Sequence, residues 1–77
     1  MRFSNDNELY HIIGLNIKFY RNQLNMTQTQ LADSAQISIS YLSKIESKKC
    51  NKSISLSTLN QIANTLDVEI TEFFKER

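Results

Sequence analysis

The 77-residue chain has no proline, one glycine, one cysteine and one histidine. β-rich folds with many tight turns rely on Pro and Gly for fixed or positive φ, so this poverty argues for an all-helical chain. A lone Cys50 cannot form an intramolecular disulfide, and His11 and Cys50 offer no set at metal-ligand spacing. Neither staple of small folds is therefore expected, and the core must suffice, alone or with a partner. A nucleophile needs an adjacent base and a third orienting group, and a phosphate cradle needs a Gly-rich loop; with neither present, no enzymatic activity is expected. Lys48, Lys49 and Lys52 surround Cys50 and would favour its thiolate, which leaves redox sensing as a minor alternative. No run approaches the ~18 apolar residues of a membrane span. Asp6, Glu8 and His11 interrupt the stretch where a signal peptide would be apolar, so a soluble, cytoplasmic protein is expected.

At 40% hydrophobic residues the chain has room for one small domain, residues 1–77. Its net charge of +1 says less than the distribution of its nine basic and eight acidic residues. Residues 1–15 and 16–38 are close to neutral. Residues 39–56 hold Lys44, Lys48, Lys49 and Lys52 against Glu46 alone, whereas residues 57–77 set Lys75 and Arg77 against Asp67, Glu69, Glu72 and Glu76. One third of the chain is thus a basic pole.

A recurrent pattern announces helix starts: an apolar residue, a Ser/Thr cap, and a second apolar residue four positions after the cap. Met26-Thr27 with Leu31, Ile37-Ser38 with Leu42 and Ile54-Ser55 with Leu59 fit it, as does Val68-Glu69 with Phe73, where Glu69 is a poor cap. Gln30 stands at the capping-box position of Thr27. Upstream, Tyr10, Ile13, Ile17, Tyr20 and Leu24 share one stripe at helical spacing. Five helices are predicted, over 7–24, 28–35, 39–47, 56–66 and 70–75, with only Gln36, Ile37 and Ser38 between the second and third. So short a connection makes those two helices cross steeply, as in a helix-turn-helix spanning about 28–47.

Around the third predicted helix, Leu42 and Ile45 face inward with Glu46 at their edge, while Ser40, Ser43, Lys44 and Ser47 face outward. An outward face of hydroxyls and one ammonium group, without a carboxylate, suits a DNA major groove, where Ser and Lys can bond base edges. Ile39, in the first turn, is suited to touch a thymine methyl. Serines and a lysine are also ordinary surface residues, so a merely solvated face is the plain alternative. Gln28 projects from the first turn of the second helix, where free N–H groups and the helix dipole favour a phosphate, or it is simply tolerated there.

The run Arg21-x6-Gln28-x2-Leu31-Ala32-x4-Ile37-Ser38-x3-Leu42-x2-Ile45-Glu46 resembles the Cro/phage-repressor class of helix-turn-helix proteins, also called the xenobiotic-response-element (XRE) family. The resemblance extends from Ile17 to Phe74 and implies a lambda-repressor-like bundle of five helices that binds double-stranded DNA. It implies phosphate contacts at Gln28 and Ser38, base reading by Ile39, Ser40 and Lys44 with Tyr41 and Ser43 beside them, and an Arg21–Glu46 pair that orients the recognition helix. For dimerisation the last helix offers Ile70, Phe73 and Phe74; the staple commits Phe73 to the core and leaves Ile70 and Phe74 partly outside, and the resemblance also implicates this helix. No cofactor or metal is implied. The sequence departs from the family at Gln36, where Gly is common in the turn; a non-glycine residue in the left-handed region there costs ~1 kcal/mol. Lys48 likewise replaces a frequent helix-ending Gly, and the loop 48–53 is longer than in many relatives. Lys48, Lys49 and Lys52 are expected to contribute phosphate electrostatics collectively.

The expected function is operator binding by a homodimer, with recognition helices in successive major grooves about 34 Å apart, and hence transcriptional regulation, chiefly repression. A different class of reading is a protein-interaction module, an antitoxin-like or anti-repressor partner. It is motivated by a second apolar stripe, Ile12, Leu15 and Phe19, on the far side of the first helix, unless Phe3 covers that stripe. An RNA-binding domain would need exposed aromatic residues for stacking, which the pattern does not supply.

Overall fold

A computed structural model describes residues 2–47 and 53–77. It contains α1 (Asp6–Gln23), α2 (Gln28–Ala35), α3 (Ile39–Glu46), α4 (Leu56–Leu66) and a final 3-10 helix, Ile70–Phe74. Among the described residues the architecture is therefore four α-helices and a 3-10 segment, where five helices are expected from the sequence. Residues 48–52 lie outside the described residues, and with them the contributions expected of Lys48, Lys49 and Lys52 and of the Cys50 thiol.

Helix starts follow the caps. Thr27 Oγ1 accepts from Gln30 N–H at 3.0 Å while Gln30 Oε1 accepts from Thr27 N–H at 2.8 Å, a complete capping box. Ser38 and Ser55 accept from the third residues of α3 and α4, Tyr41 at 3.0 Å and Thr58 at 3.1 Å. Asn5 caps α1 through Glu8 N–H, which starts that helix at Asp6. Glu69 makes no side-chain cap bond, and only the short 3-10 segment follows it. Each inner end of the apolar pattern is buried, with Leu31, Leu42 and Phe73 at 0% exposure. Met26, Ile37, Ile54 and Val68 pack on the same core from its edge.

Three helices end alike. Met26, Ile37 and Val68 donate to the carbonyls of Arg21, Ala32 and Ala63, and the residues before them, Asn25, Gln36 and Asp67, donate to Asn22, Asp33 and Asn64. These paired bonds define Schellman turns, with Asn25, Gln36 and Asp67 at φ of 55°, 59° and 58°. In each connection one apolar residue closes the turn behind it and precedes the cap of the next helix. The chain builds these left-handed positions without glycine, each against an intrinsic cost of about 1 kcal/mol. Replacing exposed Gln36 by Gly should relieve that strain, partly offset by a more flexible unfolded chain. We expect a gain of about 0.5 kcal/mol and a melting temperature higher by about 2–4 °C in a circular-dichroism melt, and a lower value would contradict the turn geometry.

The Schellman turn also explains Leu24, expected on the inward stripe. Helix α1 stops at Gln23, and Leu24 is turned out to 51% exposure. Ile13 and Ile17 do enter the core. So does Asn16, whose amide donates to the carbonyls of Phe73 (2.8 Å) and Lys75 (2.7 Å) while its oxygen accepts from Arg77 Nε at 2.7 Å. A buried amide on α1 thus satisfies the carboxyl end of the 3-10 segment. Tyr20 adds a bond to Glu72 Oε1 at 2.8 Å, and Arg77 donates to the Tyr20 hydroxyl and stacks over Phe19. Bonds from Lys75 and from the Tyr20 hydroxyl hold the Glu72 carboxyl below the usual glutamate range.

Candidate nucleic-acid interface

Helix α3 lies against both α1 and α2, and two devices on α1 set its position. The first is Gly14. A Cβ there would lie 2.1 Å from the Ile45 carbonyl oxygen, so α3 approaches α1 closely because residue 14 has no side chain. The second is Arg21, which is buried. It donates from Nε and Nη2 to the two oxygens of Glu46, both at 2.8 Å, and from Nη1 to the Met26 carbonyl at 2.7 Å. The fork-to-fork pair fixes angle as well as distance. Glu46 Oε1 also accepts from Gln28 Nε2 at 3.1 Å, which ties the first turn of α2 to the end of α3.

With Leu42 and Ile45 buried and Glu46 tied to Arg21, the solvent side of α3 carries Ile39, Ser40, Ser43 and Lys44, all exposed. Together with Gln28 these four line one shallow concavity between the amino ends of α2 and α3. The only carboxylate of α3 is thus turned away from it, and Lys44 sets its sign. Ser38, next to the concavity, uses its oxygen as the cap of α3, and the same hydroxyl keeps a proton to donate outward.

Other expected positions fall elsewhere. Tyr41 is half-buried and packs on the core, so it flanks the concavity rather than lining it. Phe73, expected at a dimer interface, is 0% exposed, and a side chain wholly enclosed by its own chain cannot meet a partner. Ile70 and Phe74 are half-buried. On α1, Leu15 (44%) and Phe19 (38%) remain exposed, bordering a groove closed on its other side by Lys75, Glu76 and Arg77. It is therefore this carboxy-terminal stretch that flanks the second stripe, for which cover by Phe3 and a partner surface are the two alternatives from sequence.

Gly14, Asn16 and the Gln28–Glu46 bond are not among the features expected from the sequence. A single glycine inside a helical pattern, and a polar residue on an otherwise apolar stripe, were the available signals for the first two. The third joins two helices through side chains and leaves no periodic trace.

Two short capped helices with a left-handed turn between them, the second presenting a carboxylate-free outer face, make a helix-turn-helix unit. A helix-turn-helix family model matches residues 17–73. The chain is 39% identical over 64 residues to the immunity repressor protein of Bacillus phage phi105, covering 83% of this chain and 43% of that one. It is 40% identical over 63 residues to the HTH-type transcriptional regulator SlrR of Bacillus subtilis, covering 82% and 41%. The chain thus spans less than half the length of these relatives. Among solved structures, that of the biofilm regulator SinR in complex with DNA superimposes with a TM-score of 0.75 at 32% identity, covering 82% of this chain and 98% of that one. SinR in complex with SinI gives the same score at 33% identity, covering 83% and 61%. The chain belongs to the XRE-type helix-turn-helix family of transcription regulators.

Proposed function

We propose that this chain is a sequence-specific DNA-binding domain that represses transcription by occupying an operator as a homodimer, with α3 in the major groove. The observation that carries this reading is the shared concavity of Gln28, Ile39, Ser40, Ser43 and Lys44, whose nearest carboxylate, Glu46, is neutralised inward by Arg21. Ser40, Ser43 and Lys44 have the donors and acceptors that base edges require. Gln28 and the Ser38 hydroxyl flank them at the amino ends of α2 and α3, where N–H dipoles favour phosphates. A single small unit buries too little DNA for tight specific binding, so pairing of two copies on a two-fold site completes the reading. Ile70 and Phe74 are the side chains proposed for that contact. SinR, which is similar over most of the chain, has been solved with DNA, and this supports the assignment.

The test is a titration of the DNA upstream of the chain's own gene at two salt concentrations, comparing wild type with Ser40→Ala/Lys44→Ala. The variant should lose about 2–4 kcal/mol of preference over random duplex while retaining most of the salt slope. Wild-type binding no tighter than to random duplex would turn attention to the second reading, a protein-interaction module. The exposed pair Leu15 and Phe19 favours that alternative, and SinR has been solved with a protein partner.

A further inference from the structure

Among the apolar residues of α3, Leu42 and Ile45 are fully buried and Tyr41 packs on the core from its edge. Ile39 does neither: it stands 48% exposed and outside the core. It lies in the first turn of α3, on the wall of a concavity whose other lining residues, Gln28, Ser40, Ser43 and Lys44, all carry hydrogen-bonding groups. A branched hydrocarbon is therefore placed among polar readers. On the major-groove edge of a base pair the one methyl group is the C5-methyl of thymine; apart from the small C5–H of cytosine, the remaining features that distinguish the bases there are donors or acceptors. Against any of those, Ile39 would desolvate a polar atom without giving it a partner.

We propose that Ile39 is a specificity residue that reads the C5-methyl of a pyrimidine, and that binding at this position depends on that methyl whether thymine or 5-methylcytosine supplies it. The proposal rests on the operator-binding reading and adds the chemistry of one base position. Because Ile39 offers no hydrogen bond, it senses the methyl group and is blind to the exocyclic oxygen or nitrogen at C4. Cytosine methylation at this position would therefore tune affinity, with Ile39 as the sensor. Burying one methyl is worth about 0.8 kcal/mol, equivalent to a fourfold change in affinity, and about fifteenfold when both halves of a two-fold site are altered.

The probe is the tightest duplex recovered by selection from a random-sequence library with the wild-type chain. Each thymine is replaced in turn by deoxyuridine, which removes only the methyl, and the series is repeated with Ile39→Ala. That variant changes an exposed residue to a better helix former and should fold. At one position per half-site, deoxyuridine should weaken wild-type binding about fourfold and leave Ile39→Ala unchanged. At that same position a 5-methylcytosine pair should bind wild type about fourfold better than a cytosine pair. A series in which no thymine shows an Ile39-dependent methyl effect, on a duplex that wild type binds tightly, overturns the proposal and leaves the operator reading standing. A selection that enriches no duplex overturns the operator reading, and the proposal with it.

Discussion

Replacing Gly14 by Ala should destabilise the protein by about 2–3 kcal/mol, lowering its melting temperature by about 10–20 °C. The sign makes this expectation informative. Glycine inside a helix is normally a weakness, and exchanging it for alanine in an unobstructed helix would gain up to about 1 kcal/mol. Here the new methyl would sit 2.1 Å from a backbone oxygen of α3, where ordinary contact begins near 3.4 Å. The obstacle is not a flexible side-chain tip that can swing aside. Relief requires α3 to move away from α1 by more than 1 Å, opening space around Leu42 and Ile45 and stretching both Arg21–Glu46 bonds. Since α3 also carries Ile39, Ser40, Ser43 and Lys44, DNA affinity should fall with stability. A melting temperature raised by the substitution would show that the two helices are not in close approach at this point.

How far such features can be read without a structure depends on how local their cause is. The helix starts at Thr27, Ser38 and Ser55 are legible because a cap and its apolar partners lie within five residues of each other. The outward face of α3 is legible for a similar reason: once the period is 3.6, burial of Leu42 and Ile45 dictates where Ser40, Ser43 and Lys44 point. Residues 70–75 read as a helix and form a 3-10 segment over Ile70–Phe74, whose end is shaped at long range, since the carbonyls of Phe73 and Lys75 bond to Asn16 on α1. Leu24 continues the stripe by spacing alone and is turned out because the Schellman bonds at Asn25 and Met26 end the helix. Asn25 and Asp67 carry no glycine signal, so these helix ends are less conspicuous in the sequence than their starts. In the candidate site, individual side chains are foreseeable from one helix. The bond from Gln28 to Glu46 is not, since it depends on how α2 and α3 cross.

The Arg21–Glu46 pair should behave very differently when broken from one side than when removed whole. Its side chains are 10% and 2% exposed, so either single replacement strands a charge that solvent reaches poorly. Glu46→Leu leaves the guanidinium without its two carboxylate bonds and frees Gln28, while Arg21→Met leaves the carboxylate without its cation and the Met26 carbonyl without its donor. Each should cost about 3–5 kcal/mol. The double replacement Arg21→Met/Glu46→Leu removes both charges and keeps most of the volume, so its stability should return to within about 1–2 kcal/mol of wild type. That non-additivity, read from chemical denaturation of the four proteins, is the signature of direct coupling. Function should not recover with stability. A Met/Leu contact has no preferred angle, whereas the forked pair holds α3 at one tilt and keeps Gln28 beside it. The refolded double variant should therefore bind the selected duplex at least tenfold more weakly than wild type. Single replacements that each cost less than about 1 kcal/mol and simply add would reduce the pair to an incidental contact. A stable double variant with wild-type affinity would instead show that packing alone, chiefly at Gly14, positions the recognition helix.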